Sequence, residues 1–304
     1  MTKKISVSVG IPAYNEEQNI KQLLTALLRQ KQEGFVLREI VVVSDGSTDG
    51  TEEQVRLVSD PRIRLISLSE NTGLALAQNK ILDTVTGDVL VLLDADIIPG
   101  NQNLLREIIK PFQINAQLGM IGADTVSAYS GSWFESVIEF SHDFKQRIYK
   151  RINSGDTIYL CHGRARAFVR AFYSELRWPA VNAEDAYSYL TCKQAGFQFE
   201  FAPLACVVFR SPGTFFDYAK QSHRFHLGKV RLSQLFPSRL VKNSFYIPIR
   251  AWLSVLVWAC LRHPLLITNY ILIVVVTRFY KQWMRPVKHG TYEISKSSKI
   301  VVRS

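Results

Sequence analysis

Residues 89–96 read Val-Leu-Val-Leu-Leu-Asp-Ala-Asp, five apolar residues followed at once by two carboxylates one residue apart. A continuous apolar run of this length is typical of a strand that is buried on both faces of a sheet. Upstream, shorter β-branched runs alternate with longer helical patterns. Such alternation predicts an α/β fold in which helices flank a mostly parallel sheet.

The same periodicities place individual elements in the first part of the chain. The predicted strands cover residues 7–11, 40–43, 63–68 and 89–93. The predicted helices cover residues 16–31, 52–58 and 74–85. Strands and helices in this order are joined by right-handed crossovers, which place the strands parallel to one another.

A short polar segment follows each predicted strand. These segments are Pro12-Ala13-Tyr14-Asn15-Glu16, Ser44-Asp45-Gly46-Ser47-Thr48-Asp49-Gly50, Asn71-Thr72-Gly73 and Asp94-Ala95-Asp96. In open parallel sheets, ligands bind at the carboxyl ends of the strands. We therefore expect the four segments to converge on one rim of the sheet and to form a binding site there.

Asp94 and Asp96 place two negative charges beside the end of a strand. Like charges this close repel, and a bound cation or a raised pKa is the usual remedy. Carboxylate oxygens suit Mg²⁺ or Mn²⁺, which would in turn hold a diphosphate. The alternative is a solvated turn, because two aspartates at this spacing are common. Their place on the shared rim favours the metal site.

The segment that begins at Asp45 matches the start of a calcium loop, but Arg56 stands at the twelfth position, where a glutamate is required. A strand–turn–helix connection with Thr48 or Asp49 as the helix N-cap explains part of the pattern. It leaves Asp45 unexplained, and this carboxylate could accept hydrogen bonds from a nucleobase or a ribose.

Two further polar motifs lie downstream. Glu184 and Asp185 begin a helical stretch, where they either complement the helix dipole or provide a general base. Gln221, Arg224 and Phe225 lie in an amphipathic region. There the arginine either faces a membrane or binds a departing diphosphate.

The excess of basic residues lies in the last third of the chain. Residues 1–200 hold 21 Lys and Arg against 24 Asp and Glu, whereas residues 201–304 hold 16 against two. Long apolar runs occur in the same third, at residues 251–261 and 265–277. Basic residues beside apolar runs indicate an anionic membrane surface and argue against nucleic acid as a partner.

Arg262, His263 and Pro264 separate the two apolar runs, neither of which reaches the roughly 20 residues of a bilayer span. A single span would put Arg262 near mid-membrane, so we prefer two interfacial or re-entrant helices. One tilted span and a buried hairpin of a soluble protein are the alternatives. The predicted divisions are a catalytic domain (1–212), amphipathic interface helices (213–243), apolar membrane-associated helices (244–283) and a basic tail (284–304).

Neither the cysteines nor the first residues indicate secretion. The four cysteines include no CxxC pair, so reduced cytosolic thiols are expected. No apolar segment follows the lysines at positions 3 and 4, and we expect no cleaved signal peptide. With the basic, apolar last third, these features predict a location at the cytoplasmic face of the cell membrane.

The polar segments, in this order, resemble the motifs of family 2 inverting glycosyltransferases with a GT-A fold, including the catalytic domain of polysaccharide synthases. The resemblance covers about residues 5–226. It implies a Rossmann-like GT-A domain, a nucleotide-sugar donor that is most often a UDP-sugar, and Mg²⁺ or Mn²⁺ as the cofactor. It also implies a role in polysaccharide biosynthesis of the cell envelope.

The resemblance further implies roles for individual residues. The nucleotide and donor site would comprise Pro12, Tyr14, Glu16, Asp45, Asp94 and Lys80, with the metal at Asp96 and Asp94. Asp185, together with Glu184, would be the catalytic base, and Gln221, Arg224 and Phe225 would hold the leaving group and the acceptor. Arg164 or Arg166 would add positive charge near the phosphates.

The implied reaction is transfer of a sugar, with inversion, to a hydroxyl of a lipid-linked saccharide or polysaccharide at the membrane. Phe225 stands where polymer-making members usually carry tryptophan, and those members also carry several membrane spans. Both differences argue against processive extrusion by this chain alone, and other membrane proteins are compatible partners.

Three other functions fit parts of the pattern. A polyprenyl-phosphate sugar transferase acts on an acceptor that is already anionic and needs no base, so Glu184 and Asp185 argue against it. A nucleotidyltransferase would usually carry a Gly-rich, basic loop after the first strand, where this chain has Pro12 to Glu16. A non-catalytic membrane-associated scaffold would not need the carboxylates on the rim.

Overall fold

The computed structural model describes residues 4–128 and 131–280. The strands are β1 (Ile5–Ala13), β2 (Phe35–Asp45), β3 (Ile63–Leu68), β4 (Val89–Leu93), β5 (Ile97–Pro99), β6 (Leu118–Ser127), β7 (Ala165–Val169) and β8 (Gln198–Phe209). The helices are α1 (Ile20–Leu28), α2 (Thr51–Arg56), α3 (Leu74–Leu82), α4 (Leu104–Ile114), α5 (Trp133–Tyr149), α6 (Arg170–Tyr173), α7 (Glu184–Gln194), α8 (Phe215–Leu235), α9 (Ser238–Ser244), α10 (Ile249–Arg262) and α11 (Pro264–Tyr280).

The strands form one mixed sheet in the order β3-β2-β1-β4-β7-β6-β8-β5. β3, β2, β1 and β4 are parallel, as the alternating sequence pattern predicts. β7 is antiparallel to both of its neighbours, β4 and β6, whereas β8 is parallel to β6. The α/β prediction is confirmed, and the reversed β7 brings the residues before it to the carboxyl end of β4.

β4 lies between two hydrophobic cores. Val89, Val91 and Leu93 face the core that α1 and α4 cover, whereas Leu90 and Leu92 face the core that includes α3 and α7. All five side chains are buried. Since successive side chains of a strand point to opposite faces, an uninterrupted apolar run is what a strand between two cores requires.

Helix α1 begins at Ile20, four residues later than the sequence pattern predicts. Asn15 has a left-handed backbone conformation, with φ of 54°, which a right-handed helix does not include. The backbone N–H of Glu16 donates to Thr51 Oγ1 at 2.7 Å. The residues between β1 and α1 therefore form a loop, which is tied to the first residue of α2.

The two apolar runs near the end form separate helices. α10 ends at Arg262 and α11 begins at Pro264, in agreement with proline's preference for the first helical position. Both helices pack on α5. Ala251, Val255 and Ala259 form the buried stripe of α10 that faces this contact. The predicted break between two helices is therefore confirmed.

The outer surface of these helices is apolar. Leu253, Val257 and Leu261 of α10 are 53%, 57% and 79% exposed. In the described part of the chain, one helical segment, Ser238–Arg262, is long and apolar enough to cross a membrane, judged by length and composition. A non-helical connection ending at Pro248 divides this segment into α9 and α10.

The predicted boundary between residues 212 and 213 falls in the connection between β8 and α8. The predicted basic tail, residues 284–304, lies outside the described residues, as do residues 281–283.

Candidate active site

The connections that follow β1 and β2 are tied to each other at the carboxyl end of the sheet. The backbone N–H of Thr48 donates to Asn15 Oδ1 at 2.8 Å. Pro12 is buried within β1, Tyr14 is partly exposed, and Glu16 is buried at 6% exposure. The segment predicted to contact the nucleotide therefore lies on the rim, with Tyr14 as the more accessible of these three side chains.

Asp45 ends β2 and links it to the connection after β3. Its Oδ1 accepts hydrogen bonds from the N–H and the hydroxyl of Thr72 at 2.8 and 2.7 Å, and its Oδ2 accepts one from the N–H of Gly73 at 2.8 Å. The residue is 2% exposed. Asp45 thus has a clear structural role in joining two rim segments, and its contact with a nucleotide stays a prediction.

The carboxylates after β4 lie beside two arginines at the start of β7, Arg164 just before the strand and Arg166 within it. The backbone N–H of Asp94 donates to the carbonyl of Arg164 at 3.0 Å, because β7 pairs antiparallel with β4. Burial and the negative charge of Asp96 raise the pKa of Asp94 to about 7, against the opposing charges of Arg164 and Arg166. Asp94, Asp96 and Arg164 all remain partly accessible to solvent.

Arg166 is fully buried beneath these carboxylates. Its Nη1 donates to Ser188 Oγ of α7 at 3.0 Å, and the guanidinium lies 5.9 Å from the ring centre of Trp178. Its Nε and Nη2 have no hydrogen-bond partner among the described residues. A buried cation requires a counter-charge. Asp94 and Glu184 are the nearby acidic groups, since the charge of Arg166 lowers the pKa of both.

Helix α7 begins with the two acidic residues that the sequence singled out. Trp178 Nε1 donates to the carbonyl of Glu184 at 2.9 Å, which holds the first turn in place. Burial raises the pKa of Glu184 to about 7, and the charge of Asp185 contributes. Asp185 Oδ1 accepts a hydrogen bond from the N–H of Ala186 at 2.7 Å.

Gly163 leaves a space between two of the predicted functional carboxylates. A Cβ atom on Gly163 would lie 3.9 Å from Asp185 Oδ2 and 4.0 Å from Asp94 Oδ2. The tertiary structure therefore directs the predicted base and the predicted metal ligand toward one small volume, although they are far apart in the sequence.

The carboxylates of the rim fit a divalent cation that is shared with a ligand. Among the described residues, no group of three or more His, Cys, Asp or Glu side chains is arranged to hold a metal ion by itself. Mg²⁺ is commonly bound by one or two carboxylates together with substrate phosphates, so Asp94 and Asp96 are sufficient when a diphosphate is present. The raised pKa of Asp94 reflects burial and repulsion that a cation would offset.

Helix α8 approaches the start of α7 through a glycine. A Cβ atom on Gly228 would lie 2.6 Å from Ala183 Cβ, closer than two carbon atoms can pack. Because Ala183 immediately precedes Glu184, this contact sets the position of α8 relative to the acidic turn. The predicted Gln-x-x-Arg-Phe motif lies on α8, one to two turns before the glycine.

The three side chains of that motif are accessible. Gln221 is exposed, Arg224 is partly exposed, and Phe225 is 54% exposed with its ring centre 6.4 Å from that of Phe245. Arg224 forms no ion pair in the described part of the chain. The arginines that act on Asp94 are Arg164, just before β7, and Arg166 within it, so the role of Arg224 toward a leaving group stays a prediction.

The structure does not bring Lys80 to this site. Lys80 is exposed in the last turn of α3, whereas the rim adjoins Gly73, at the first turn of the same helix. Seven residues of helix separate the two positions by about 10 Å. The assignment of Lys80 to donor binding came from the family resemblance, which does not specify the end of α3 that meets the rim.

Sequence reasoning missed the polar side chains of α5. His142, Lys145 and Gln146 lie about one turn apart on this helix, and Gln146 Nε2 lies 3.0 Å from Nε2 of His162. Since His162 directly precedes Gly163, α5 borders the gap between the carboxylates. Polar residues at positions i, i+3 and i+4 of an amphipathic helix are the sequence signal that would have predicted this polar side of α5.

Comparison with known proteins adds a family and a fold. Residues 8–177, more than half of the chain, match the family model described as "Glycosyl transferase family 2". The chain is 34% identical over 121 residues to the succinoglycan biosynthesis protein ExoO of Rhizobium meliloti, covering 40% of this chain and 34% of that protein. It is 36% identical over 104 residues to the glycosyltransferase AglE of Haloferax volcanii, covering 34% of each. The matched part spans about a third of the length of these relatives.

Solved structures resemble the chain over a larger share of its length. The mannosyltransferase PcManGT from Pyrobaculum calidifontis, in complex with GDP-Man and Mn²⁺, gives a TM-score of 0.64 at 19% identity, covering 93% of this chain and 88% of that one. S. aureus TarS 1-349 gives a TM-score of 0.54 at 17% identity, covering 81% and 68%. These likenesses show a shared fold.

Proposed function

The chain belongs to glycosyl transferase family 2, a family of transferases, and we propose that it moves a sugar from a nucleotide-sugar to a hydroxyl of a lipid-linked saccharide or polysaccharide. UDP is the expected nucleotide, and the GDP-Man in PcManGT makes GDP the next to test. The observation that carries the proposal is the convergence of Asp94 and Asp185 on the space beside Gly163.

In the proposed reaction, Asp185 acts as the general base. Its Oδ1 is engaged by the N–H of Ala186, and its Oδ2 is directed toward the Gly163 gap. Oδ2 takes the proton of the acceptor hydroxyl while that oxygen forms a bond to the anomeric carbon. The bond from the same carbon to the diphosphate breaks on the opposite face, so the configuration inverts.

Asp94 and Asp96 would hold Mg²⁺ or Mn²⁺ together with the donor diphosphate. When bound, the cation supplies positive charge to the leaving group. Arg164 adds a guanidinium beside the same carboxylates, and Arg224 on α8 would bind the diphosphate of the leaving group. Buried Arg166 holds Asp94 and Glu184 in position by its charge.

We assign the chain to the cytoplasmic face of an anionic membrane. The exposed apolar surfaces of α10 and α11 support this assignment, because contiguous apolar surface of this extent is typical of an interaction site. Arg250 and the basic residues of α8 and α9 lie next to that surface in the sequence, as in helices that lie in a membrane interface.

Nucleotide binding by the full chain in detergent tests the donor assignment. Calorimetry with UDP, GDP, CDP and ADP, with and without Mn²⁺, should show one nucleotide that binds only with the metal, and the Asp96→Ala variant should lose that dependence. Asp83→Ala, which removes an exposed carboxylate at the C-terminal end of α3, is the matched control. If no nucleotide binds to folded protein, the proposal is wrong and the scaffold alternative gains support.

A further inference from the structure

A chain of hydrogen bonds joins helix α5 to His162, the residue before Gly163. Nε2 of His142 lies 2.8 Å from the carbonyl oxygen of Thr125, near the end of β6. A carbonyl oxygen only accepts, so this Nε2 carries a proton. The amide nitrogen of Gln146 lies 3.1 Å from Thr125 Oγ1 and 3.0 Å from Nε2 of His162. The two α5 side chains and His162 thus form one connected network around Thr125.

The amide of Gln146 determines which nitrogen of His162 carries the proton. Gln146 is 5% exposed, and its Oε1 has no hydrogen-bond partner among the described residues, whereas its amide nitrogen has two. The reverse orientation would leave two buried N–H donors unpaired instead of one oxygen, which costs more free energy. The amide therefore donates, and Nε2 of His162 accepts. In the neutral ring the proton is then on Nδ1.

The imidazole of His162 is uncharged. Burial lowers its pKa well below the usual value, and the nearby cations Arg164, Lys145 and Lys150 act in the same direction. The residue nevertheless stays partly exposed, and its Nδ1 forms no hydrogen bond within residues 4–128 and 131–280. The Nδ1–H group is therefore available to a ligand. A donor without charge suits an oxygen of a sugar better than a phosphate.

The covalent geometry of the chain keeps this donor close to the reaction space. Nδ1 is three bonds from the Cα of its own residue, and consecutive Cα atoms are about 3.8 Å apart, so Nδ1 lies within roughly 7 Å of the Gly163 Cα. The space beside Gly163 is the one toward which Asp185 Oδ2 and Asp94 Oδ2 are directed. A sugar bound in that space is therefore within reach of Nδ1.

The sheet topology assigns His162 to the acceptor half of the site. The segments expected to bind the nucleotide follow β1, β2 and β4, all on one side of β7. Thr125 belongs to β6, on the other side of β7, and the network holds the ring of His162 toward that side. Helix α7, which carries Asp185, also packs on β6 and β8. A saccharide that approaches Asp185 from the β6 side meets His162.

We propose that His162 binds the acceptor saccharide by donating a hydrogen bond from Nδ1 to one of its oxygens. Gln146 and Thr125 are positioning residues, which hold the ring and fix its tautomer. The inference rests on the proposed function in one respect, that the acceptor is a saccharide. The hydrogen bond orients the acceptor so that its reacting hydroxyl faces Asp185.

The tautomer is measured on the full chain in detergent, without substrate. Nitrogen NMR of isotope-labelled histidine distinguishes protonated from unprotonated ring nitrogens, and the signal that disappears in the His162→Asn variant belongs to His162. At neutral pH the wild-type ring should be protonated on Nδ1 alone, and Gln146→Met should no longer hold that form. Gln113→Met, which removes an exposed amide of α4, is the matched control and should leave the signal unchanged.

The binding role is measured by sugar transfer. The donors are radiolabelled UDP- and GDP-hexoses with Mn²⁺, and the acceptors are membranes of the cell that produces the chain. His162→Phe keeps a flat ring but loses the donor, so the amount of membrane for half-maximal transfer should rise by about tenfold. His162→Asn can place an amide N–H near the position of Nδ1 and should recover most of this loss. Affinity for the nucleotide with Mn²⁺ should be the same in all three proteins.

Several results would overturn the proposal. A wild-type ring protonated on Nε2, or on both nitrogens, would show that Nδ1–H is not the donor that Gln146 sets. Reduced nucleotide affinity in His162→Phe would assign the residue to the donor half. Wild-type transfer with an unaffected His162→Phe variant would refute this inference alone, whereas a wild-type chain that transfers no sugar would refute the proposed function and the acceptor role together.

Discussion

Asp185 occupies a position in which two roles compete. A carboxylate in the first turn of a helix stabilises the helix by roughly 0.3–1 kcal/mol through the helix dipole. The geometry adds an oxygen directed at the space it shares with Asp94, which the dipole does not require. Removal of the Asp185 charge therefore distinguishes the two roles. A helix-dipole role predicts a loss of stability, whereas a general-base role predicts a loss of transfer.

We expect Asp185→Asn to lower the rate of sugar transfer by about 10²–10⁴-fold, because general-base catalysis contributes about this much. Nucleotide affinity should be unchanged, since the amide keeps the shape of the side chain. Transfer kinetics and calorimetry on the same preparation measure both quantities. Glu53→Gln, in the first turn of α2, is the control for a helix-dipole effect. A variant with normal transfer and slightly reduced stability would leave Asp185 with the dipole role alone.

Gly163 allows a second test at the scale of one side chain. An added Cβ makes ordinary contacts at 3.9 and 4.0 Å, so Gly163→Ala should fold and retain most of its activity. Gly163→Leu fills the space between Asp94 and Asp185, and overfilling of a packed site costs about 1–3 kcal/mol. We expect transfer by the leucine variant to fall by about tenfold or more, measured as kcat/KM. Equal activity of the two variants would show that no substrate occupies this space.

At the scale of elements, the proposed active site depends on how α8 packs against α7. Gly228 brings the backbone of α8 close to Ala183, immediately before the acidic turn. A longer side chain at position 228 would separate the helix that carries Arg224 from the helix that carries Asp185.

We expect Gly228→Ala to reduce transfer by about tenfold while nucleotide binding to the rim stays normal, because a displacement of reacting groups by about 1 Å is enough for such a loss. The double variant Gly228→Ala, Ala183→Gly removes the clashing atom and should restore most of the activity. Transfer assays on wild type and the three variants measure this. If Ala183→Gly gives no rescue, the distance between α7 and α8 does not control the reaction.

For the whole molecule, the proposed membrane location depends on the exposed apolar faces of α10 and α11. Leu261 is 79% exposed at the end of α10, and Ile114 at the end of α4 is 78% exposed. The two side chains are matched in chemistry and exposure but lie on different parts of the molecule.

Co-sedimentation with anionic lipid vesicles tests this difference. Leu261→Ser should weaken binding by about tenfold, because burial of a leucine side chain in an apolar phase is worth roughly 1.5–3 kcal/mol. Ile114→Ser should have no effect, and neither variant should change the thermal unfolding temperature by much. Equal losses for both variants would argue against α10 as the membrane-facing element. A loss for neither would argue against membrane binding through this surface.

The sequence by itself determined the strand β4, the parallel group of four strands and the polar segments at their carboxyl ends. These features depend on local periodicity and on the strict alternation of side chains in a strand, both of which are properties of neighbouring residues. The break between α10 and α11 was predictable for the same reason, since proline acts on its own turn. The start of α1 was not, because the loop at Asn15 is held by hydrogen bonds to the next connection.

Only the tertiary structure decided which charges meet. β7 runs antiparallel to β4, and this reversal places Arg164 and Arg166 beside Asp94, a pairing that no local pattern encodes. The same folding gives Asp45 three hydrogen bonds within the rim and leaves Lys80 at the distant end of α3. Electrostatic energy depends on distance and burial in space, and these are set by the packing of segments that are remote in the sequence.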